Sequence, residues 1–491
     1  MKQKLIWKTV LLLPVLLMCF LCGCSTVVNS HRQKASMMEA YTAGKYDETL
    51  SVINRKLKSA EGTGDELMWH LESGSMNFTM GNYDESIRSL ERAENLVSEY
   101  DERALVSLRD VSSEGAMAVT NLNALPYRGF CRDRILIPVF KALAYLGRGD
   151  EEGFRVEIFR LRDAQQKVMD DYRKFFEAEE AAAAEAGNQN ADVAAKVSES
   201  KDAPTQNEEF NTELAQVTEV ANRGYGNFLN PLAIYLSGIG FARDNNYENA
   251  IVDFERLYKA LPKHPLIRSS YAAVLQRTGR EIPEELKSVK ALEHPLDRDS
   301  LLVIFANGRS AAFKQIAVYF PVMTAWPICE YYDAPYRTLG VETDGEKNET
   351  VPLADMDGIL SQEYKERLTA MIIRITISTT LKEAASYGAA YAAWRANPIV
   401  GVAVFLSSVV YRATFNTADT RSWEILPKEF QIAQLPMPEN RELKLTLSPN
   451  GGALPLETTL QLPDTCRSAI LYVDAPGPGV WNCKVLELKT K

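Results

Sequence analysis

Histidine is scarce in this chain. There are four in 491 residues, His31, His70, His264 and His294, and no two stand at metal-ligand spacing. Glu66 lies one helical turn before His70, which is the spacing of an ordinary surface contact. Basic charge is also in deficit, with 55 Lys and Arg against 65 Asp and Glu. A binder of nucleic-acid backbone needs a basic face, so that class is excluded. Cysteine is sparse and badly spaced for zinc: beyond the first 24 residues only Cys131, Cys329, Cys466 and Cys483 remain. No phosphate loop, dinucleotide fingerprint or nucleophile–base motif occurs. Paired acids such as Glu151-Glu152 fall in solvated helix turns. The sequence therefore implies no cofactor, no metal, no small-molecule substrate and no enzyme. An activity on cell-wall glycan would need converging carboxylates in a cleft.

What is present begins at the N-terminus. Lys2, Lys4 and Lys8 precede an apolar run from Val10 to Phe20, broken only by Pro14. That run is short for a bilayer-spanning helix, which needs about 20 apolar residues, and suits the core of an export signal. It ends in Leu21-Cys22-Gly23-Cys24, which resembles the lipobox of bacterial lipoproteins. The resemblance implies cleavage after Gly23 and lipidation of the Cys24 thiol. One acyl chain holds a protein only marginally, at about 0.8 kcal/mol per buried CH₂, whereas two or three hold firmly. Residues 24–35 read as a polar tether. Ser25 stands where an inner-membrane retention signal places Asp, so the expected location is the outer membrane, facing the periplasm. Without the leader's three lysines the chain has 52 basic and 65 acidic residues, a net charge of −13. In an oxidising compartment Cys466 and Cys483 close a short hairpin-like segment and are open to pairing. The alternative is two small buried apolar residues.

Three segments align with one another: Gly44-Lys45-Tyr46-Asp47-Glu48, Gly81-Asn82-Tyr83-Asp84-Glu85 and Asn245-Asn246-Tyr247-Glu248-Asn249. Each follows one amphipathic helical stretch and opens another. Gly or Asn accepts the left-handed backbone that ends a helix. A small residue follows (Thr49, Ser86, Ala250), then a large apolar one (Ile53, Leu90, Phe254). Gly74 and Gly238 fall where paired helices approach. This resembles the tetratricopeptide repeat (TPR), a helix-turn-helix unit of about 34 residues. Repeat one is degenerate, with Met37 and Lys56 where small residues are wanted. A further pair is expected at Ile135 to Val168, around Gly147-Arg148-Gly149-Asp150, and a capping pair at Leu266 to Leu286. Such pairs stack into a superhelix with a concave, peptide-binding face. Leu71, Ser75, Phe78, Tyr235 and Ile239 are candidate groove residues, and equally candidates for inter-repeat core.

The fold expected is mostly α with a β-containing C-terminal part. A TPR-like α-solenoid over 36–296 is interrupted by a disordered, Ala/Glu-rich insert at about 177–209. An α+β region follows over 297–415. It holds strands at Leu301 to Phe305 and Ile316 to Phe320, a helix from Gln362 through Trp394, and an apolar hairpin at 384–411. The hairpin breaks at Arg395-Ala396-Asn397-Pro398, and its second arm is too short to span a bilayer comfortably. It reads as a buried hairpin or as a contact with membrane or partner. Residues 416–491 read as a small antiparallel β domain.

Several phrases together resemble one family: Arg132 to Arg162, Asn230-Pro231 with Tyr235-Leu236-Ser237-Gly238, Val303 to Gly308, and Ala418-Asp419-Thr420-Arg421-Ser422-Trp423 followed by Leu426-Pro427. The family is that of bacterial TPR lipoproteins of unknown role. The insert departs from its pattern, as do Phe154 and Ile158-Phe159. The resemblance implies an exported, anchored, non-enzymatic protein whose partners are envelope proteins. Genes of this kind often lie beside small lipoproteins that activate peptidoglycan synthases, which implies envelope assembly. Outside the repeats, Arg421 and Trp423 are the candidate site residues. Arg421 offers an anion contact and Trp423 a platform for sugar or peptide. The structural alternative is an Asp419–Arg421 pair with Trp423 packed beneath. The functions these readings imply are a protein–protein adaptor or a structural part of an envelope secretion, polymer-export or cell-wall assembly complex.

Overall fold

Helix formation follows the turn signals closely. The computed structural model describes residues 30–107, 126–188, 208–292, 299–320, 322–398, 402, 404 and 417–488. Cys24 and most of the second arm of the apolar hairpin lie outside these residues. Helix α1 covers Ser30–Thr42, α2 Tyr46–Ala60, α3 Glu66–Met80 and α4 Tyr83–Ser107. Helix α5 covers Cys131–Gly147, α6 Glu151–Asn188, α7 Glu208–Ala221, α8 Pro231–Arg243, α9 Tyr247–Ala260 and α10 Pro265–Thr278.

The tight turns between paired helices close in the same way. At the α3–α4 turn the Gly81 N–H donates to Phe78 O (3.0 Å) and the Asn82 N–H to Asn77 O (2.8 Å). At the α8–α9 turn Asn245 N–H donates to Ala242 O and Asn246 N–H to Phe241 O. Both turns need a left-handed residue, Gly81 at φ +79° and Asn245 at φ +57°; Gly and Asn adopt it at least cost. The helix seams match the spacing. A Cβ on Gly74 would lie 2.5 Å from Leu90, and one on Gly238 would lie 3.1 Å from Phe254. Thr49, Ser86, Ala250, Ile53, Leu90 and Phe254 are all buried.

The β part begins with β1, Ser300–Asn307, then β2 Ala312–Phe320, β3 Val322–Glu330, β4 Tyr336–Thr343, β5 Glu346–Glu349 and β6 Val351–Asp355. Helix α11, Met356–Ala396, follows. The chain ends with β7 Glu429–Pro436, β8 Glu442–Pro449, β9 Leu456–Gln461, β10 Ser468–Gly477 and β11 Val480–Leu488. One sheet has the order β11-β10-β1-β7-β6, a second β5-β4-β8-β9, and β2 and β3 form a separate hairpin. β1 runs parallel to β10 and antiparallel to β7.

β1 is buried along its whole length because both its faces are covered. Leu302, Ile304 and Ala306 join the core shared with the helices, whereas Leu301, Val303 and Phe305 join the core shared with β4 and β8. Period-two alternation thus sorts one strand's side chains into two cores. The five-stranded sheet is the middle layer between the helical region and the second sheet. A third core gathers Phe210, Phe313, Trp326, Leu360 and Tyr364 where α7 and α11 pack on the β2–β3 hairpin.

Several boundaries differ from the sequence expectation. The tether ends early: α1 starts at Ser30, and Lys34, expected in polar tether, is fully buried. The expected disordered insert is helical at both ends. α6 runs on to Asn188 and α7 begins at Glu208, while 189–207 lie outside the described residues. The expected capping pair is one helix, α10, followed by a single 3₁₀ turn, Glu284–Leu286. Strands on either side of 415/416 share a sheet, since β1 and β6 lie with β7, β10 and β11. Hydrogen bonding between strands far apart in sequence overrides the composition change there. Helix α11 ends at Ala396, at the break read from Arg395-Ala396-Asn397-Pro398.

Candidate functional site

The helix face that sequence reasoning assigned to a partner is covered by this chain itself. Leu71, Ser75 and Phe78 on α3 and Tyr235 and Ile239 on α8 are all buried. The Phe78 ring meets Tyr472 of β10 edge-on at 5.0 Å and Phe140 of α5 at 5.6 Å. The Tyr235 hydroxyl donates to Gln434 Oε1 of β7 at 2.8 Å. As an open groove these five residues are a correction. The apolar faces of α3 and α8 are taken up by the middle sheet.

Residues 417–428 join α11's end of the chain to β7 without forming a helix or strand. They lie against α1, α3 and α5 much as a bound peptide would, held by side chains that grip backbone. The Glu72 carboxylate accepts from Glu424 N and Ile425 N, both at 2.9 Å. Lys34 Nζ donates to Glu72 Oε1 at 2.5 Å and to the Ser422 carbonyl. Arg132 donates to the Trp423 carbonyl at 3.1 Å and to Ser310 Oγ at 2.5 Å. Trp423 Nε1 donates to Ser75 Oγ at 3.0 Å, and its ring lies 5.5 Å from Phe140. Lys34, Glu72, Arg132 and Trp423 are fully buried. Such groups persist in a core only when paired and hydrogen-bonded.

Arg421 closes the near end of this segment. Its Nε and Nη2 donate to the two Asp419 oxygens at 2.8 and 2.7 Å, and Nη1 reaches Asp65 Oδ1 at 3.2 Å. Two-point carboxylate contacts of this kind are the strong form of the ion pair. Burial alone would raise the Asp419 pKa, but Arg421 overrides it and holds the carboxyl below its usual value. Arg421 and Trp423 therefore lie together at one place, and both face the helices. Asp133, beside Arg132, accepts from Tyr127 OH at 2.5 Å and from Phe130 N at 2.9 Å.

Cys466 and Cys483 are free thiols, as are Cys131 and Cys329. Of the two readings left open, strand register favours the unpaired one. Cys483 stands opposite Val473 in β10, while Cys466 precedes that strand. Five residues from Ser468 to Val473 span roughly 17 Å at about 3.3 Å each, far beyond the Cα separation of a disulfide, about 4.4–6.8 Å. Among the described residues, no group of three or more His, Cys, Asp and Glu is placed to hold a metal ion. Also among them, no helix is long and apolar enough to cross a membrane.

Sequence reasoning missed Lys34, Glu72, Arg132 and Glu424. The available signal was charge on otherwise apolar helix faces: Lys34 one turn before Met37 and Met38, Glu72 between Leu71 and Ser75, Arg132-Asp133 ahead of Ile135-Leu136-Ile137.

Buried acids give the protein a defined pH response. Burial pushes Glu424 up to about 7, with Lys34 opposing the rise. It pushes Glu363 and Asp474 to about 7 as well, against Arg367 and the Tyr41 hydroxyl respectively. In the unfolded chain these groups titrate near their ordinary values, about 4. Between about pH 4 and 7 the folded protein keeps protons that the unfolded chain releases, so stability falls as pH rises through that window. Asp419, held low, works in the opposite sense below about pH 4. His31, His70 and His264, all lowered by desolvation, oppose the acids below about pH 6.5 without outweighing three carboxyls raised to about 7. The urea midpoint is therefore higher at pH 5.5 than at pH 8, and Glu363→Gln with Asp474→Asn flattens the difference. A midpoint that rises over this window contradicts the assignment.

Compared with known proteins, the chain matches no family model, no curated protein and no solved structure at a significant level.

Proposed function

We propose that this chain is a lipid-anchored adaptor of a bacterial cell envelope, held to the outer membrane through Cys24 and facing the periplasm. Its helical region is a TPR-like array, and it brings an envelope protein to the membrane without catalysing a reaction. The observation that carries this reading is the set of large apolar side chains that α6 and α9 leave exposed, while the inner face already grips the chain's own residues 422–425. Glu72, Lys34 and Arg132 bind the backbone of an extended segment, which is the chemistry of protein-segment recognition. The lipobox-like Leu21-Cys22-Gly23-Cys24 supports the anchor, and the repeated turns support the array. Because the inner face is filled by the chain's own segment, the partner surface lies outside it. Val156, Phe159 and Val252 are large apolar residues exposed on α6 and α9. Photo-crosslinking groups at Phe159 and Val252 in living cells should capture one reproducible envelope protein. Their failure to capture any contradicts the adaptor reading.

A second reading is a structural part of an envelope assembly that docks through its β part. It is favoured by β9, an edge strand beside Leu454, which is 87% exposed. An edge strand offers unpaired backbone groups for strand addition. Proline at Thr458 or Thr459 should then abolish assembly while the protein stays folded and membrane-bound. Unchanged assembly in both variants removes this reading.

A further inference from the structure

The far end of α11 carries a different chemistry from the rest of the surface. The helix is tied to the β2–β3 hairpin at its start and climbs towards the hairpin tip. Ser361 Oγ is 2.7 Å from the Tyr331 hydroxyl at the base, and Tyr364 OH accepts from Trp326 Nε1 at 2.7 Å midway. Among the described side chains, Ile375 is the last of α11 in the core that holds Ile316 and Val318. The helix continues from there to Ala396, about 31 Å at 1.5 Å per residue. Ala384 to Trp394 contains no charged side chain. Tyr391 is 66% exposed and Trp394 51%, and Arg395 is exposed beside them. Positions 391, 394 and 395 share one helix face.

We infer that this end of α11 seats in the interfacial layer of a lipid bilayer, with Tyr391 and Trp394 at the boundary of headgroups and acyl chains and Arg395 on lipid phosphate. Tyr and Trp favour that layer because one end of each ring is apolar and the other polar. Arg extends its charge to the headgroups while its stem stays apolar. The tether sets the angle of approach, a step that rests on the lipid anchor proposed above. His31 Nε2 lies 3.3 Å from Glu330 Oε2, so the start of α1 is fixed at the base of the hairpin. From Ser30 back to Cys24 the chain reaches at most about 22 Å. From Ser361 to Ala396 the helix extends about 53 Å. One membrane plane accepts both points only if α11 is inclined well away from the membrane normal, because the tether is much shorter than the helix. The helix end therefore meets the bilayer inclined to its normal, which suits a shallow interfacial seat of about 5–10 Å depth. Deep insertion would carry Arg395 towards the bilayer centre, at a cost of about 2.5–3.5 kcal/mol or more.

The test uses the full lipidated protein on phosphatidylcholine–phosphatidylglycerol vesicles brominated either near the headgroup or deep in the acyl chain. Trp394→Phe isolates the Trp394 emission by difference from the buried Trp69, Trp326 and Trp423 and the half-buried Trp481. The expected result is loss of the Trp394 component, greater with the shallow bromines. Vesicle-bound protein with no loss of that component overturns the inference and leaves the anchor standing. Greater loss with the deep bromines overturns the interfacial seat. Protein that neither sediments with vesicles nor is quenched overturns both readings, while quenching in protein with an unlipidated Cys24 supports the seat and overturns the anchor.

Discussion

Glu72→Ala lowers folding stability by about 3–5 kcal/mol, the range for removing one partner of a buried ion pair. Three groups lose their acceptor together. The Lys34 ammonium, fully buried, loses its 2.5 Å contact, and the Glu424 and Ile425 amides lose theirs. Each of these was desolvated on folding and loses its charged acceptor when the carboxylate is gone. Glu424 is a poor substitute partner, 3.9 Å from Lys34 Nζ and pushed to a pKa of about 7 by burial. Lys34→Met alone is costly for the matching reason, since it leaves Glu72 without its cation. The double variant Lys34→Met/Glu72→Gln should cost less than the sum of its parts, because the new side-chain amide still offers an acceptor and no charge is stranded. Urea denaturation followed by far-UV circular dichroism measures all three. A Glu72→Ala cost under about 1 kcal/mol, the scale of a single ordinary hydrogen bond, would show that the segment is not held as described.

The second large effect concerns the membrane. If the proposed anchor holds, Cys24→Ala is expected to abolish incorporation of a fatty-acid label and to leave the leader attached, because both lipidation and cleavage need the thiol. Ser25→Asp keeps the label and moves the protein to the inner membrane. Labelling with an alkyne fatty acid, followed by separation of the two membranes, reads both outcomes. A labelled Cys24→Ala protein contradicts the anchor. The size of the effect follows from acyl-chain arithmetic. Two chains of about sixteen carbons bury some 30 CH₂ groups, on the order of 20 kcal/mol at about 0.8 kcal/mol each. No polar contact of the chain approaches that value.

Local structure was legible wherever a residue type is required by backbone geometry. Gly81 and Asn245 end helices because those turns need positive φ, and Gly74 and Gly238 sit where a Cβ would strike Leu90 or Phe254. Strands at β1, part of β2, and β8 to β11 were legible from apolar or alternating runs between Pro and Gly turn signals. Long-range pairing was not. Leu301 to Phe305 reads as one apolar run because both faces of β1 are buried, and such a run does not say that its neighbours are β10 and β7. The first turn of α1 was missed because Ser30 to Lys34 is polar, and its lysine is satisfied by Glu72 and by the distant Ser422 carbonyl. The same distance hid the site. The Asp419–Trp423 phrase stood out by composition, but nothing local links it to α3. Its occupation of the helix face was therefore invisible, and the groove read from Leu71, Ser75 and Phe78 looked open.

The helical region is closed by its own segment and is not an empty receptor. Hydrogen exchange at the Glu424 and Ile425 amides tests this most directly, because both donate to Glu72 from residues outside any helix or strand. The expected result is protection equal to that of β1, with exchange only on global unfolding. Exchange as fast as in an exposed loop such as Gly451-Gly452, in an otherwise folded protein, would contradict it and mean that the face is open.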